Sequence, residues 1–276
     1  MTRAQATPHP KAAPNALPGR RGRTLVQEYL PAAVAFVVAI LLWEAFVFGF
    51  NIQFYLLPAP HVIVQTFREQ APVLVETGLY TFQEALAGYT LGCGLGVLAA
   101  MAASRSPSFA DLILPYAIAS ASVPIIALAP LAIVWFGVAQ GSKIAIVTMM
   151  TFFPTFISTL RGLLSVQPQS LELMRSYAAN EGQVFLKLRL PASLPYMFNA
   201  FKVGTTLSMI GAVVSEFFGG PAKSLGVYIK STAALFQTRQ AWSAILVACA
   251  LGLSFYLVVV LVERLVMPWH VSTRRA

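Results

Sequence analysis

The sequence predicts an all-α fold, a polytopic membrane bundle of about six transmembrane helices. Hydrophobic residues make up 57% of the 276 residues and charged residues only 11%, whereas about a quarter of the residues in a soluble domain are charged. The mean hydropathy is +0.71. The charges are also unevenly placed, because residues 85–104 and 112–140 contain none. Such stretches favour membrane-spanning helices over a soluble core.

Six segments have the length that a helix needs to cross a bilayer, which is about 20 apolar residues. The predicted spans cover residues 30–50, 81–103, 112–137, 142–160, 194–217 and 241–266. The third and fourth spans contain Pro115, Pro124, Pro130 and Pro154. Because proline interrupts the helical hydrogen bonds, we expect bends in these helices.

The basic residues orient the spans, since cytoplasmic segments are enriched in Lys and Arg. With both termini in the cytoplasm, thirteen basic residues fall in inside segments and five in outside segments. The outside residues are Arg68, Lys143, Lys223, Lys230 and Arg239. Lys202 lies within the fifth span, and we expect its side chain to extend towards the cytoplasmic surface. The net charge of +9 therefore reflects topology and does not indicate nucleic-acid binding.

The chain is expected to have three parts. Residues 1–29 are rich in Pro, Ala and Arg and predict a disordered, basic cytoplasmic tail. Residues 30–269 form the transmembrane domain, and residues 270–276 a second cytoplasmic tail. The first apolar segment is too long for a signal peptide and lacks a clear cleavage site, which favours an uncleaved helix.

Small and acidic residues add two expectations about the spans. Gly88, Gly92 and Gly96 are spaced by four residues and predict a helix face that another helix approaches closely. Three acidic residues, Glu44, Glu84 and Glu216, fall towards predicted span ends. We expect no acidic pair at a shared depth.

Motifs for catalysis are missing from the sequence. Neither H-E-x-x-H nor G-x-S-x-G occurs. Residues 218–224 resemble a phosphate-binding loop only in part, because Ala222 replaces the glycine that precedes the lysine. We therefore expect no enzymatic activity and no bound cofactor or metal.

The loop over residues 161–191, between the fourth and fifth spans, is the most informative segment. Pro168 suits the first position of a helix, whose apolar face would hold Leu171, Met174, Tyr177 and Ala178. Asn180, Glu181 and Gly182 would end that helix, and a second short helix over 183–190 would follow. The apolar face needs a cover, for which the membrane surface, the bundle and a partner protein are the alternatives.

This loop resembles the signature of permease subunits of bacterial ATP-binding cassette importers: EAA, three residues, Gly, nine residues, then I-x-L-P. Glu172 and Leu190-Pro191 match in type and spacing. The other signature positions are occupied by Leu173, Met174, Ala178 and Leu188. Because the glycine is replaced by Ala178, the position of the helix break stays open, and Gly182 would place it four residues later.

Further motifs extend the resemblance over residues 30–269. Residues 57–60 are similar to the family's L-P-x-P, residues 127–137 to A-x-x-P-L-x-x-x-W-F-G and residues 191–195 to P-A-x-L-P. Two further pairs that match are Ser215-Glu216 and Leu225-Gly226. The similarity is closest to the branch that handles nitrate, taurine, alkanesulfonates, and thiamine-pyrimidine or riboflavin-type compounds.

The resemblance implies an assembly in the bacterial inner membrane. Two permease subunits, expected to be a homodimer, form the pathway, two cytoplasmic ATPases drive it, and an extracytoplasmic binding protein delivers the substrate. The cytoplasmic loop then acts as a coupling helix that docks on the ATPase. Its coupling residues would be Glu172, Leu173, Met174, Tyr177, Ala178, Gly182, Leu190 and Pro191. For Leu173 and Met174, packing within the permease is the alternative.

Candidate pathway residues are polar groups in the apolar spans, namely Ser120, Ser122, Thr205, Thr206, Ser208 and Ser215. The alternative is that they bond only to their own helix backbone. Residues 215–229 resemble the branch for thiamine-pyrimidine or riboflavin-like compounds, with sulfonate, taurine and nitrate as alternatives. The alternative for the whole chain is an ion-gradient-driven secondary transporter, which would carry ion-coordinating groups within the membrane or an inverted repeat.

Overall fold

The computed structural model describes residues 25–269, with side chains from residue 30 onward apart from that of Pro107. Most of the predicted N-terminal tail and the tail over 270–276 therefore lie outside the described residues. Within residues 25–269 the chain is helical and contains no strand, which confirms the predicted fold class. The described residues divide into two units, one that ends at Leu42 and one that begins at Trp43.

The helices of the described part are numbered here in chain order. They are α1 (Leu25–Gly49), α2 (Pro60–Ala103), α3 (Pro107–Ala121), α4 (Ala129–Phe136), α5 (Gln140–Leu164), α6 (Pro168–Ser176), α7 (Glu181–Val184), α8 (Leu190–Phe218), α9 (Leu225–Ala234) and α10 (Thr238–Val266). A 3₁₀ turn over Ile125–Leu128 precedes α4, and a π-helical turn over Phe185–Arg189 precedes α8.

The described helices confirm the predicted set of spans. Five are long and apolar enough to cross a membrane, and the bent pair Ser108–Ala121 and Ile125–Phe136 makes a sixth if it counts as one span. The second span starts earlier than predicted, since α2 continues from Pro60 through a non-helical backbone position at Gln70. This break lies two residues before Pro72, whose missing N–H interrupts the helical ladder.

The third span is not the continuous helix predicted over residues 112–137. Its two helical parts meet at an angle of 71°. Pro124, with ψ of 79°, separates them, because proline has no N–H to continue the ladder. The second part, α4, ends at Gly137 with φ of +81°. That left-handed conformation favours glycine and explains the glycine of the W-F-G motif.

The centre of the second unit is formed by α2, α5 and α8, with α10 packed on α2 and α8 and with α3 and α4 packed on α5. One buried cluster includes Tyr89, Cys93, Phe198 and Phe255. Another includes Phe156 and Leu160 against small residues of α2 and α3. Many large apolar side chains are nevertheless exposed, such as Leu98 and Leu265. An outer surface of this kind suits contact with lipid.

Gly88, Gly92 and Gly96 lie on the face of α2 that packs against α5. A Cβ added at Gly88 would be 2.5 Å from Cβ of Val147, and one at Gly92 would be 2.5 Å from the carbonyl oxygen of Thr148. The Thr148 hydroxyl also approaches the Gly88 carbonyl oxygen at 3.3 Å. The two backbones are therefore too close for any side chain at these positions.

Candidate functional site

The segment between α5 and α8, residues 165–189, carries Glu172 and the other signature positions that precede Leu190-Pro191. We call it the coupling segment after the role that the resemblance implies. Its first helix, α6, begins as predicted with Pro168 in the first turn and Gln167 as the N-cap. No residue of α6 is buried. The helix therefore projects from the bundle and has little apolar packing of its own.

The exposed side chains of α6 differ from the predicted face. Leu171 and Met174 are half-buried, whereas Glu172 and Leu173 are exposed. Tyr177 is 76% exposed because it lies just past the helix end. The two large apolar groups that face outward are thus Leu173 and Tyr177. Both remain more than half exposed among the described residues.

The helix break lies at Ala178 and not at Gly182. Ala178 has φ of +52°, in the left-handed region. Its N–H donates to the Arg175 carbonyl at 2.9 Å, and the Ala179 N–H donates to the Met174 carbonyl at 3.1 Å. This is the Schellman ending that normally uses glycine. The sequence had left the break open between Ala178 and Gly182, and the structure has it at Ala178 because these hydrogen bonds form despite the alanine.

Residues 180–182 do not end α6 but begin the next helix. The Asn180 side chain accepts from the Gln183 N–H at 2.8 Å, while the Gln183 side chain accepts from the Asn180 N–H at 3.0 Å. This capping box starts α7, which continues through the π-helical turn into α8. The predicted separate helix over 183–190 is therefore the start of one long helical run. Leu190 and Pro191 are half-buried at its entry into α8.

The two ends of the coupling segment are held together where α5 meets α8. A Cβ at Gly162 would lie 2.9 Å from the Ser193 Cα and 2.9 Å from the Tyr196 Cβ. Ser193 is fully buried at this contact. The sequence analysis did not single out Gly162. Its only sequence signal is a small residue in the last turn of an otherwise apolar helix.

The predicted pathway residues fall into two groups. Thr205, Ser208 and Ser215 are buried, and each hydroxyl donates to a carbonyl three residues earlier. These hydroxyls therefore bond to the backbone of their own helix, which was the alternative to a pathway role. Because the three residues are buried, they are not on the surface of the single chain. The residues with exposed or half-exposed side chains are Ser120, Ser122 and Thr206.

A buried polar cluster joins α2, α8 and α9. The Thr81 hydroxyl donates to Oε1 of Glu216 at 2.7 Å, and the Gly226 N–H donates to Oε2 at 2.6 Å. The Leu225 N–H donates to the Thr81 hydroxyl at 2.9 Å. Glu216 thus satisfies the N-terminus of α9, where unpaired N–H groups favour an anion. This explains why Ser215-Glu216 and Leu225-Gly226 occur together in the sequence.

Glu84 lies beside Glu216 in this cluster, so the expectation of no acidic pair was wrong. Glu84 is fully buried, and no hydrogen-bond donor among the described residues reaches either carboxyl oxygen. Lys143 is also fully buried, and its Nζ donates to the carbonyls of Val138 and Ala139 and to the Ser142 hydroxyl. It is therefore part of α5 and not the loop charge that the topology count assumed.

A second buried charge pair was also missed. Nζ of Lys202 on α8 lies 2.9 Å from Oε2 of Glu263 on α10. Their side chains are 23% and 9% exposed. The sequence analysis expected Lys202 to extend towards the cytoplasmic surface but not that it would pair with Glu263, which lies in the last turn of α10. Sequence separation of the two residues hid this pairing.

Comparison with known proteins agrees with this architecture. Residues 92–269 match the family described as the binding-protein-dependent transport system inner membrane component. The chain is 30% identical over 244 residues to the formylaminopyrimidine transport permease protein ThiX of Halalkalibacterium halodurans, with 87% of this chain and 96% of the relative covered. It is 28% identical over 241 residues to the riboflavin transport system permease protein RibX of Chloroflexus aurantiacus, with 87% and 90% covered.

Among solved structures, the MetNI methionine ABC transporter in its inward-facing conformations has a similar fold. The TM-score is 0.56 at 19% sequence identity, and the match covers 72% of this chain and 98% of the transporter chain. The family match spans more than half of the chain and includes the coupling segment, α8 and Glu216. The chain therefore belongs to the family of binding-protein-dependent transport system inner membrane components, as a multi-pass permease subunit of an ATP-binding cassette importer.

Proposed function

We propose that two copies of this chain form the pathway through which the importer takes up a small heteroaromatic compound of the thiamine-pyrimidine or riboflavin type. Two relatives that align along most of their length are a formylaminopyrimidine permease and a riboflavin permease, which supports this class. A sulfonate, taurine or nitrate is the alternative. Because the binding protein delivers the substrate, the selectivity resides largely in that partner.

The coupling role is assigned to α6, and one observation carries it. Leu173 and Tyr177 are 57% and 76% exposed on a helix that has no buried residue. Exposed apolar side chains beside a carboxylate, here Glu172, suit a groove on a partner protein. The partner is the cytoplasmic ATPase, and both termini of the permease lie on the same side as α6. The other signature residues, Met174 and Ala178, shape this surface.

The mechanism follows from how α6 is attached. The Schellman ending at Ala178 and the capping box at Asn180 define the connection between α6 and α7. Gly162 and Ser193 bring α5 and α8 into contact at its base. When ATP closes the two ATPases, the α6 helices move with them, and α5 and α8 tilt together. The pathway then opens to the outside to receive substrate from the binding protein.

The polar groups proposed for the pathway are the accessible ones. Ser120 and Ser122 lie at the bend between α3 and the 3₁₀ turn, and Thr206 lies on α8. A cavity of about 290 Å³ beside this bend has an apolar wall that includes Pro124 and Leu207, and none of the three hydroxyl residues belongs to that wall. An apolar wall next to the bend suits a neutral aromatic ring better than a sulfonate, which would need a cation.

The coupling assignment is tested by replacing Leu173 and Tyr177 together with alanine in the reconstituted importer. We expect uptake to fall at least about tenfold, because truncating two interface anchors costs more than 1 kcal/mol each, while the permease stays in the membrane. The matched control is L112A/Y116A on α3, where the same residue types with the same spacing are exposed. Unchanged uptake in L173A/Y177A would contradict the assignment.

The driving force and the substrate need a separate experiment. Gentle detergent extraction of the tagged chain, followed by mass spectrometry, is expected to recover the ATPase, the binding protein and its bound small molecule. A sulfonate on that binding protein would overturn the proposed substrate class but not the coupling role. Uptake that persists without ATP under an ion gradient would instead favour the secondary transporter.

A further inference from the structure

Three arginines from three different segments meet at the base of the coupling segment. Arg105 follows α2, Arg175 lies on α6 and Arg189 ends the π-helical turn. They line one cavity of about 630 Å³, which we call the arginine cavity. Its remaining wall is formed by Met101, Ser104, Glu181, Gly182 and Phe185.

The arginine cavity has an excess of positive charge. The ion pairs within the described part of the chain are His61–Glu44 and Lys202–Glu263, and none of the three arginines takes part in one. Glu181 lines the cavity without approaching any of them to ion-pair distance. Arg189 makes one long hydrogen bond, 3.5 Å to the Ser104 carbonyl. Three arginines without a carboxylate partner among the described residues therefore line one shared space.

The composition of the wall indicates what the cavity binds. Guanidinium groups match the oxygens of a phosphate group with paired hydrogen bonds. Met101 and Phe185 add apolar surface beside these cations, which suits the glycerol and first methylene groups of a lipid. The cavity lies at the end of α2, a helix long and apolar enough to cross a membrane, and the end of such a span is where lipid headgroups are expected. Basic pockets between helices on the cytoplasmic side bind anionic headgroups.

We propose that the arginine cavity binds the phosphate group of an anionic phospholipid and so fastens α6 to the bundle. This inference uses the proposed function for the sidedness of the coupling segment and for the role of α6. Since α6 has no buried residue, a phosphate shared by Arg175, Arg105 and Arg189 replaces the missing packing. The bound lipid would make the connection from α6 to α5 and α8, through which the ATPase acts, more rigid.

The test uses the full importer in nanodiscs of phosphatidylglycerol or of phosphatidylcholine, with native mass spectrometry of retained lipid. Phosphatidylglycerol is expected to stay bound to the wild type. Each arginine removed in R105Q/R189Q should lower its occupancy about fivefold. R105K/R189K is expected to be intermediate, because lysine keeps the charge without the paired donors. The control, R161Q/K187Q, removes the same charge from exposed residues that do not line the cavity.

The second readout is transport-linked ATP hydrolysis in the same discs. Phosphatidylglycerol should raise it in the wild type and in R161Q/K187Q, but not in R105Q/R189Q. If inorganic phosphate added to phosphatidylcholine discs restored the full rate, a soluble phosphate would be the ligand and the lipid would not. Unchanged lipid retention in R105Q/R189Q with lost hydrolysis would overturn the proposal and make the arginines contacts for acidic residues of the ATPase. Lipid retention is measured by mass spectrometry and does not require transport. A failure of the proposed transport function can therefore be distinguished from a failure of lipid binding.

Discussion

The Thr81 hydroxyl donates a hydrogen bond of 2.7 Å to the Glu216 carboxylate, and this contact fastens α2 to α8 at the point where α9 begins. The same hydroxyl accepts from the Leu225 N–H, and Glu216 accepts from the Gly226 N–H. A Cβ at Gly226 would lie 2.6 Å from Oε2 of Glu216. One buried carboxylate thus positions three helices, and a glycine makes its approach possible.

Replacing Glu216 with alanine is expected to destabilise the protein strongly. The change leaves the Gly226 N–H and the Thr81 hydroxyl buried without an acceptor, and each unsatisfied group costs about 1–3 kcal/mol. Thermal unfolding in detergent measures the loss. The matched control is E84A, which removes a side chain of the same size from the same cluster. Since Glu84 has no hydrogen-bond donor among the described residues, its loss leaves no donor unpaired. Equal losses in both variants would contradict this account.

Replacing Ala178 with glycine is expected to stabilise the coupling segment by about 1 kcal/mol. The left-handed backbone costs conformational free energy for alanine, whereas glycine adopts it without a steric cost. Hydrogen exchange at the Ala178 and Ala179 amides, which close the Schellman ending, should slow in A178G. A179G is the control, since Ala179 does not have positive φ and glycine there only loosens the chain. Faster exchange in A178G would show that the ending is not populated.

The α2–α5 contact predicts a sharp difference between two glycines of one helix. G92A is expected to cost about 1–3 kcal/mol, because the new methyl group would meet the side chain of Thr151 and the backbone of α5. G94A, where no atom lies within 4 Å of the added Cβ, should be neutral or slightly stabilising. Thermal unfolding of both variants decides the matter. A tolerated G92A would mean that the two helices are farther apart.

The Lys202–Glu263 pair predicts non-additive mutations. Either K202M or E263M alone leaves a largely buried charge unpaired and should destabilise by about 1–3 kcal/mol, below the value for fully buried pairs because Lys202 is partly exposed. The double variant should recover most of the loss, since two apolar side chains can replace a buried ion pair. The unfolding temperatures of the wild type and the three variants form a double-mutant cycle. Additive losses would show that the two charges do not interact.

Much of the architecture could be predicted from residue order alone. The uncharged runs determine the spans, since a bilayer core accepts few charged residues in a helix. Pro168 starts α6 because proline is favoured in the first turn of a helix, which is a local preference. The family signature was also readable, because the spacing of Glu172 and Leu190-Pro191 survives the loss of the small residues between them.

The tertiary structure decided whatever depends on residues far apart in the chain. Glu84 lies beside Glu216, Lys202 pairs with Glu263, and three arginines line one cavity. Helix packing sets these distances, and sequence spacing does not. The helix break stayed at Ala178 because hydrogen bonds to Met174 and Arg175 outweigh the preference of the left-handed backbone for glycine. The sequence determined which segments are helices in a membrane. Only the packing of these helices decided which polar groups find hydrogen-bond partners within the bundle and which remain exposed for a partner to bind.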